Sequence, residues 1–507
     1  MPALPLVPVP IRADLTDGAP FALTDATVSG DADAAAELAR LISARTGTAP
    51  RIAAAEDAGI RLFLHPGGAP ESYTLRVAAD GVEVRGADAA GVFYGVQTLA
   101  QLVRRDAGAW IVPAVEVDDA PRFPYRGMML DVARHFHPVE TVLAVIDRIA
   151  TLKLNRLHLH LADDQGWRLA LRSRPELVAH ASATAAGGDE GGFYARDDYA
   201  AILAHAASRH VVVVPEIDVP GHTHAVGLAY PELAADPVIS AEVQDAAERF
   251  GGGLPASGHP YTGIAVGFSS LRTDDERTYE FLADVFGELA ALTPGPYLHL
   301  GGDEAHGTDP ADYARFVARA VDIVAATGKT PIVWHEAAAV PDLPCDVVAQ
   351  YWSYVHPSTD PHRAQADAAA AAAARSAASV ILSPADAVYL DMKPESGFAI
   401  GLEWAEGPTP LADAYGWEPA AVVPGLAEHD ILGIEAPMWS ETVRTLADID
   451  ALAFPRLAAA AELAWSPASS REWTSFLERV GAQAPLWTGL GIGFHALAPV
   501  PWPEPAA

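Results

Sequence analysis

A (β/α)8 barrel preceded by a small α+β domain is the fold predicted by this 507-residue sequence. Three observations carry the prediction. Eight short apolar or β-branched runs follow one another between residues 127 and 438, and most are trailed by a stretch of helical periodicity. The segment DDAPRFP at 118–124, rich in proline and charge, separates them from an N-terminal part with a different pattern.

In that N-terminal part, alternating runs at 60–65, 73–77 and 81–85 predict strands, and periodic stretches at 34–45 and 87–102 predict helices. We read it as an α+β domain over residues 1–120, with the barrel over 121–507. The eight barrel runs are 127–132, 156–161, 211–217, 297–302, 331–335, 347–352, 379–382 and 432–438, with helices expected at 139–152, 197–208, 274–292, 311–326 and 362–378. Alternation of this kind argues for a parallel sheet with helices outside it. The connection after the fifth run is short, so its helix is expected to be missing or rudimentary.

Composition narrows the function. Sixty-six acidic against 33 basic residues give a formal charge of −33, which repels phosphate backbones and anionic membranes. The single cysteine, Cys345, excludes an internal disulfide framework and a Cys-rich metal site. The start, MPALPLVPVPIRADL, lacks the basic and uninterrupted apolar regions of a signal peptide, so a cytoplasmic location is expected, or export if a leader has been removed. No run of about 18 uncharged apolar residues predicts a membrane span. The Ala-rich stretch at 368–374 reads as an ordinary surface or packing helix.

Active sites of such barrels lie at the C-terminal ends of the strands. There the sequence places Asp131 and Arg134; Asp163 and Asp164; Glu216, Asp218 and His222; Asp303 and Glu304; Trp334, His335 and Glu336; Tyr351 and Trp352; and Glu435, Trp439 and Glu441. Carboxylates and indoles together suit a sugar, whose hydroxyls bond to polar groups while its C–H faces pack on rings. Asp303 and Glu304 are the candidate catalytic pair. Neighbours in a strand point to opposite faces, so both address one substrate only if the chain turns there, as Gly301 and Gly302 permit.

His158, His160, Asp163 and Asp164 have the residue types of a metal site, but two histidines on one face of a strand suit a satisfied polar interior better; no metal and no cofactor are expected. His222 is either a loop histidine or one coupled to Asp218 and then to the acid. Trp110, Trp465 and Trp473 are assigned to packing, whereas Trp334, Trp352 and Trp439, at strand ends, can wall a pocket the size of a methyl group.

Seven ordered motifs carry a resemblance: RGMMLDVARHFHP at 126–138, LNRLHLHLADDQGWR at 154–168, VVPEIDVPGHTHA at 213–225, YLHLGGDEAH at 297–306, VWHE at 333–336, YLD at 389–391 and EAPMWSE at 435–441. With them the chain resembles glycoside hydrolase family 20, the β-N-acetylhexosaminidases, across essentially its whole length. The resemblance implies an exo-acting, retaining enzyme in which the sugar's own 2-acetamido oxygen attacks the anomeric carbon. It implies Glu304 as acid/base and Asp303 as the group that orients the acetamide, with Tyr389 on the acetamide oxygen and Trp334, Trp352 and Trp439 around its methyl. It implies Arg134, Asp163 and Glu441 on the O3 and O4 hydroxyls, Asp391 on O6, Trp404 as a platform for the next sugar, and Asp218 with His222 in support of Glu304. The expected partner is an oligosaccharide, not nucleic acid or a membrane, and the chain is expected as a monomer or homodimer. Two alternatives differ in class: a lacto-N-biosidase-like enzyme that releases a disaccharide, and a catalytically silent glycan-binding protein.

Overall fold

Eight parallel strands close on themselves, their outward apolar face covered by helices and their inward face filled by side chains. In the computed structural model, which describes residues 4–53, 58–356 and 361–503, these strands are β1 (Tyr125–Asp131), β2 (Arg156–His160), β3 (Val212–Glu216), β4 (Tyr297–His299), β5 (Thr330–Trp334), β6 (Val348–Tyr351), β7 (Ser379–Leu382) and β8 (Ile431–Met438). They pair in chain order and β8 returns to β1, where Leu130 faces Met438. All eight expected runs are therefore barrel strands. The expected helices form at Val139–Thr151, Arg196–Ser208, Glu276–Leu292, Pro310–Ala326 and Pro361–Ser376. After β5 the chain makes one turn, His335–Ala338.

The barrel interior changes character from bottom to top. Near the N-terminal ends Tyr125, Val214, Ile332, Val348 and Ile381 form an apolar plug. Towards the C-terminal ends the inward side chains become His158, His299, Gln350 and Glu435, then His160, Glu216 and Trp334, all almost fully buried. Buried polar groups persist when they bond one another. Here Glu435 accepts from Tyr125, His158 and Gln350 at 2.5, 2.9 and 2.7 Å.

The N-terminal part holds a seven-stranded mixed sheet, including Thr27–Gly30, Ile60–Leu64, Tyr73–Ala78, Gly81–Gly86 and Val115–Asp119. Two helices, Ala32–Thr46 and Ala89–Gln101, pack on it. Asp31 and Asp88 cap them, each accepting an amide of the first turn. The sheet meets the barrel at Asp119, which accepts from Tyr73, Lys153 and the Trp465 indole at 2.7, 3.0 and 3.0 Å. Arg126 of β1 reaches Glu71 at 2.7 Å from the other side. The outer ends of the two expected domains, residues 1–3 and 504–507, lie outside the described residues. Among those described, no helix is long and apolar enough to cross a membrane.

Candidate active site

A cleft of about 910 Å³ opens at the C-terminal mouth of the barrel. It is lined by Arg134, His222, Asp303, Glu304, Trp334, Trp352, Tyr389, Trp404, Trp439 and Glu441 among others, so the strand ends converge as a barrel requires.

Asp303 and Glu304 reach it through a turn. Strand β4 stops at His299, and Gly301 and Gly302 follow with φ of 71° and 104°. A Cβ on Gly301 would lie 1.8 Å from Asp218 Oδ1, so only glycine fits. Asp218 accepts the Gly302 amide at 2.8 Å, and Tyr313 donates to the Gly302 carbonyl. Glu304 itself has φ of 46°, which brings its side chain to the same side as that of Asp303.

His222, buried and with φ of 55°, stands between two acidic groups. Its Nδ1 lies 3.2 Å from Asp163 Oδ1, and its Nε2 lies 3.5 Å from Glu304 Oε2 and 3.7 Å from Asp303 Oδ2. Its hydrogen-bond partner is thus Asp163, not Asp218 as the sequence suggested; Asp218 instead faces Asp303. Burial alone would lower the imidazole, but Asp163 and Asp303 hold it well above its usual range. Burial also opposes the Glu304 anion, yet the nearby His222 outweighs it and keeps Glu304 below its usual range. Both shifts favour a proton on His222 over one on Glu304. Burial lifts Asp303 to about 6, against the field of His222, while burial and the facing Asp303 push Asp218 well above the usual carboxylate range.

Asp163, expected on the O3 and O4 hydroxyls, is held by other side chains. Its Oδ2 meets His160 Nε2 and an Arg134 terminal nitrogen, both at 2.8 Å, and its Oδ1 takes His222 and the Asp164 amide. With both oxygens engaged and none in the cleft lining, it acts as the post behind Arg134 and His222. Arg134 also reaches Asp131 at 3.3 Å and lies 4.7 Å over the Trp439 ring. Glu441, whose Oε2 is buried without a partner, lines the cleft beside it. Asp391 is buried just outside the lining with both oxygens unpaired, and burial and then the charge of Glu441 push it well up.

Trp334, Trp439 and Tyr389 form one wall, with centroids 5.9 Å apart for the two indoles and 6.4 Å between Tyr389 and Trp439. Trp404, 40% exposed, stands at the mouth and meets Tyr389 and Trp352 edge-on. Trp334 donates to Glu216 and Trp352 to Glu336, both at 2.9 Å. Glu336 stood in the expected rim, but nothing in the sequence gave it a role; burial pushes its carboxyl up to about 7. Two further walls were not foreseen. Arg249 and Phe250 come from the helix Ala241–Phe250, and Ala366, Ala370 and Ala373 from the Ala-rich helix. Their composition carries no ligand signal. Trp465 and Trp473 pack as expected, Trp465 on Tyr94 and Trp473 on Tyr415 and Phe476.

Among described residues, four buried groups have ligand-type atoms within reach of one another, such as His158, Glu216 and His299, or Asp163, Asp164 and His222. In the first two groups His158, His160 and Glu216 are engaged with one another and with Glu435, Asp163 and Trp334, as an interior network.

Known proteins of one family match the chain along its length. Residues 3–120 match glycosyl hydrolase family 20, domain 2, and residues 123–313 and 308–468 match the catalytic domain of that family. A β-N-acetylhexosaminidase of Cellulomonas fimi is 41% identical over 100% of this chain and 99% of its own. A solved family 20 β-N-acetylglucosaminidase superposes with a TM-score of 0.91 at 56% identity, covering 99% of this chain and 100% of that one. The family 20 β-N-acetylhexosaminidase from Streptomyces coelicolor A3(2) gives 0.89 at 41% identity, covering 99% of each chain. The chain belongs to glycosyl hydrolase family 20, as a glycoside hydrolase of the β-N-acetylhexosaminidase type.

Proposed function

We propose that the protein removes single terminal N-acetylglucosamine or N-acetylgalactosamine residues from the non-reducing ends of oligosaccharides, with retention and with the substrate's acetamido oxygen as nucleophile. The observation that carries this reading is the aromatic wall of Trp334, Tyr389 and Trp439 standing in one cleft with Asp303 and Glu304. An apolar box beside two carboxylates suits a methyl-bearing amide, and it favours the bent conformer in which the amide oxygen faces the anomeric carbon.

Asp303, lifted to about 6, accepts the amide N–H and stabilises the positive charge that develops on the oxazolinium-like intermediate. The His222–Glu304 pair supplies the proton for the departing oxygen through Glu304, which then takes a proton from the incoming water. Arg134 and the free Oε2 of Glu441 meet the O3 and O4 hydroxyls, with Asp391 toward O6. A ring whose O4 is held this way has no room for another sugar there, which makes the action exo. Trp404 offers the next sugar a stacking face.

The test is hydrolysis of chromogenic β-N-acetylglucosaminide and β-N-acetylgalactosaminide beside the plain β-glucoside, by wild type and Glu304→Gln. Turnover confined to acetamido substrates and lost in the variant supports the reading. Equal cleavage of the glucoside refutes substrate assistance, and no cleavage of any of them favours the disaccharide-releasing or binding-only alternative.

A further inference from the structure

Glu216 ends β3, fully buried behind the cleft, and touches none of the groups assigned to the sugar except the back edge of Trp334. Its Oε1 accepts the Trp334 indole N–H at 2.9 Å and lies 2.9 Å from His299 Nδ1, the nitrogen that accepts the Gly301 amide at 3.0 Å. Its Oε2 takes His160 Nδ1 at 2.5 Å, with His158 Nε2 at 3.1 Å. His160 continues through Nε2 to Asp163, and Asp163 to His222 beside Glu304. One carboxylate therefore anchors the pocket wall and a chain of three side chains that ends at the acid, and it lies close to the His299 ring that receives the Gly301 amide.

We propose that Glu216 is a positioning residue for hydrolysis: by keeping His160 charged it sets how strongly Asp163 pulls on the His222 proton, and it ties that setting to the pocket wall through Trp334. The inference rests on the reading of Glu304 and His222 as the acid pair. His160 bonds a carboxylate at each ring nitrogen, so both nitrogens donate and the ring is an imidazolium. Burial works against that charge, but Glu216 and Asp163 hold His160 up at about 10. The groups that face His160 are Glu216, Asp163 and Asp131, and the Trp439 ring lies 5.0 Å away. Those that face His222 are Asp163 and Asp164 after β2, Asp218 after β3, Asp303 and Glu304 after β4, and Glu336 after β5.

The sign follows from that geometry. Without the Glu216 charge His160 becomes neutral, and the positive charge that offsets Asp163 disappears. Asp163 then holds the His222 proton more tightly, so the pair loses it at higher pH.

Glu216→Gln, nearly the same size, tests this by kcat and KM against pH on an acetamido substrate, with thermal unfolding as a control. The expected result is a folded variant with kcat lower by about 10- to 100-fold. KM should change less, and the basic limb of kcat/KM should move to higher pH. A folded variant with the wild-type pH profile overturns the proposal, whatever its rate. If Glu216→Gln does not fold, His160→Asn removes the same positive charge and leaves the Trp334 bond intact; its basic limb must also rise, and an unmoved limb overturns the proposal. Wild type is run beside them on the plain glucoside: equal cleavage there would defeat the substrate-assisted reading, while the limb still decides the role of Glu216.

Discussion

The Trp352 indole donates to Glu336 Oε2 at 2.9 Å, so a wall of the cleft hangs on a carboxyl that titrates near neutrality. Burial pushes Glu336 from an ordinary 4.5 up to about 7; the Trp352 bond opposes the rise and the charge of Glu304 adds to it. Between those two values the folded protein keeps a proton that the unfolded chain has released. That stabilisation is complete below the unfolded value and is lost as pH rises through about 7. Glu336→Gln cannot titrate. Its melting temperature is expected to fall less than that of wild type between about pH 5 and about pH 8; equal falls in the two proteins would refute the assignment.

Asp163 and His222 act as one unit, because His222 meets the acid only while Asp163 holds its other nitrogen. Asp163→Asn and His222→Gln are each expected to lower kcat, and the double variant to lose less than the product of the two factors. The coupling should be about 0.5–3 kcal/mol, as for residues in direct contact. A kinetic double-mutant cycle measures it, and additive losses would separate the two residues.

Trp404 is an exposed ring of the cleft and packs on Trp352 and Tyr389 only by edges. Trp404→Ala is expected to raise KM for a disaccharide substrate by about 2- to 10-fold, the worth of a stacking contact of about 0.5–1.5 kcal/mol. KM for a methyl β-N-acetylglucosaminide, which has no second ring, should hardly move. An equal change on both substrates would place the ring elsewhere in the reaction.

Lys153 and Asp119 pair at 3.0 Å with each residue only 1% exposed, and the Trp465 ring covers the ammonium at 4.5 Å. Lys153→Met leaves a buried carboxylate without its cation, which costs about 3–5 kcal/mol of stability. Urea unfolding should show that loss, while kcat under folded conditions stays at the wild-type value because neither residue lines the cleft.

The barrel was legible because its strands are short, largely apolar or β-branched runs alternating with helical periodicity, and the differences lie where the site begins. The run at 297–302 reads as one strand, yet β4 stops at His299 because the Gly301–Gly302 turn must pass close to Asp218. The strand-end residues of the cleft were legible because strand ends converge whatever their chemistry, whereas Arg249, Phe250 and the Ala-rich helix were not. Which way each side chain points was not. Asp163 reads as a ligand group, but four donors from β2, its following loop, Arg134 and His222 surround it, and that enclosure exists only in three dimensions. Glu216 carries no special spacing, and its place under Trp334 follows from the register of β3 against β4 and β5.

The junction at Asp119 ties the barrel to a sheet that stands apart from the cleft. The sheet contributes no side chain to the cleft, so it reads as dispensable by its chemistry. Its last strand, however, supplies the counter-ion for a lysine rooted in the barrel, and the barrel supplies the indole that closes over both. Cut at the linker, the barrel would present a bare ammonium and a stripped tryptophan to water. An N-terminal part grafted onto this barrel would have to bring an acid to the place of Asp119.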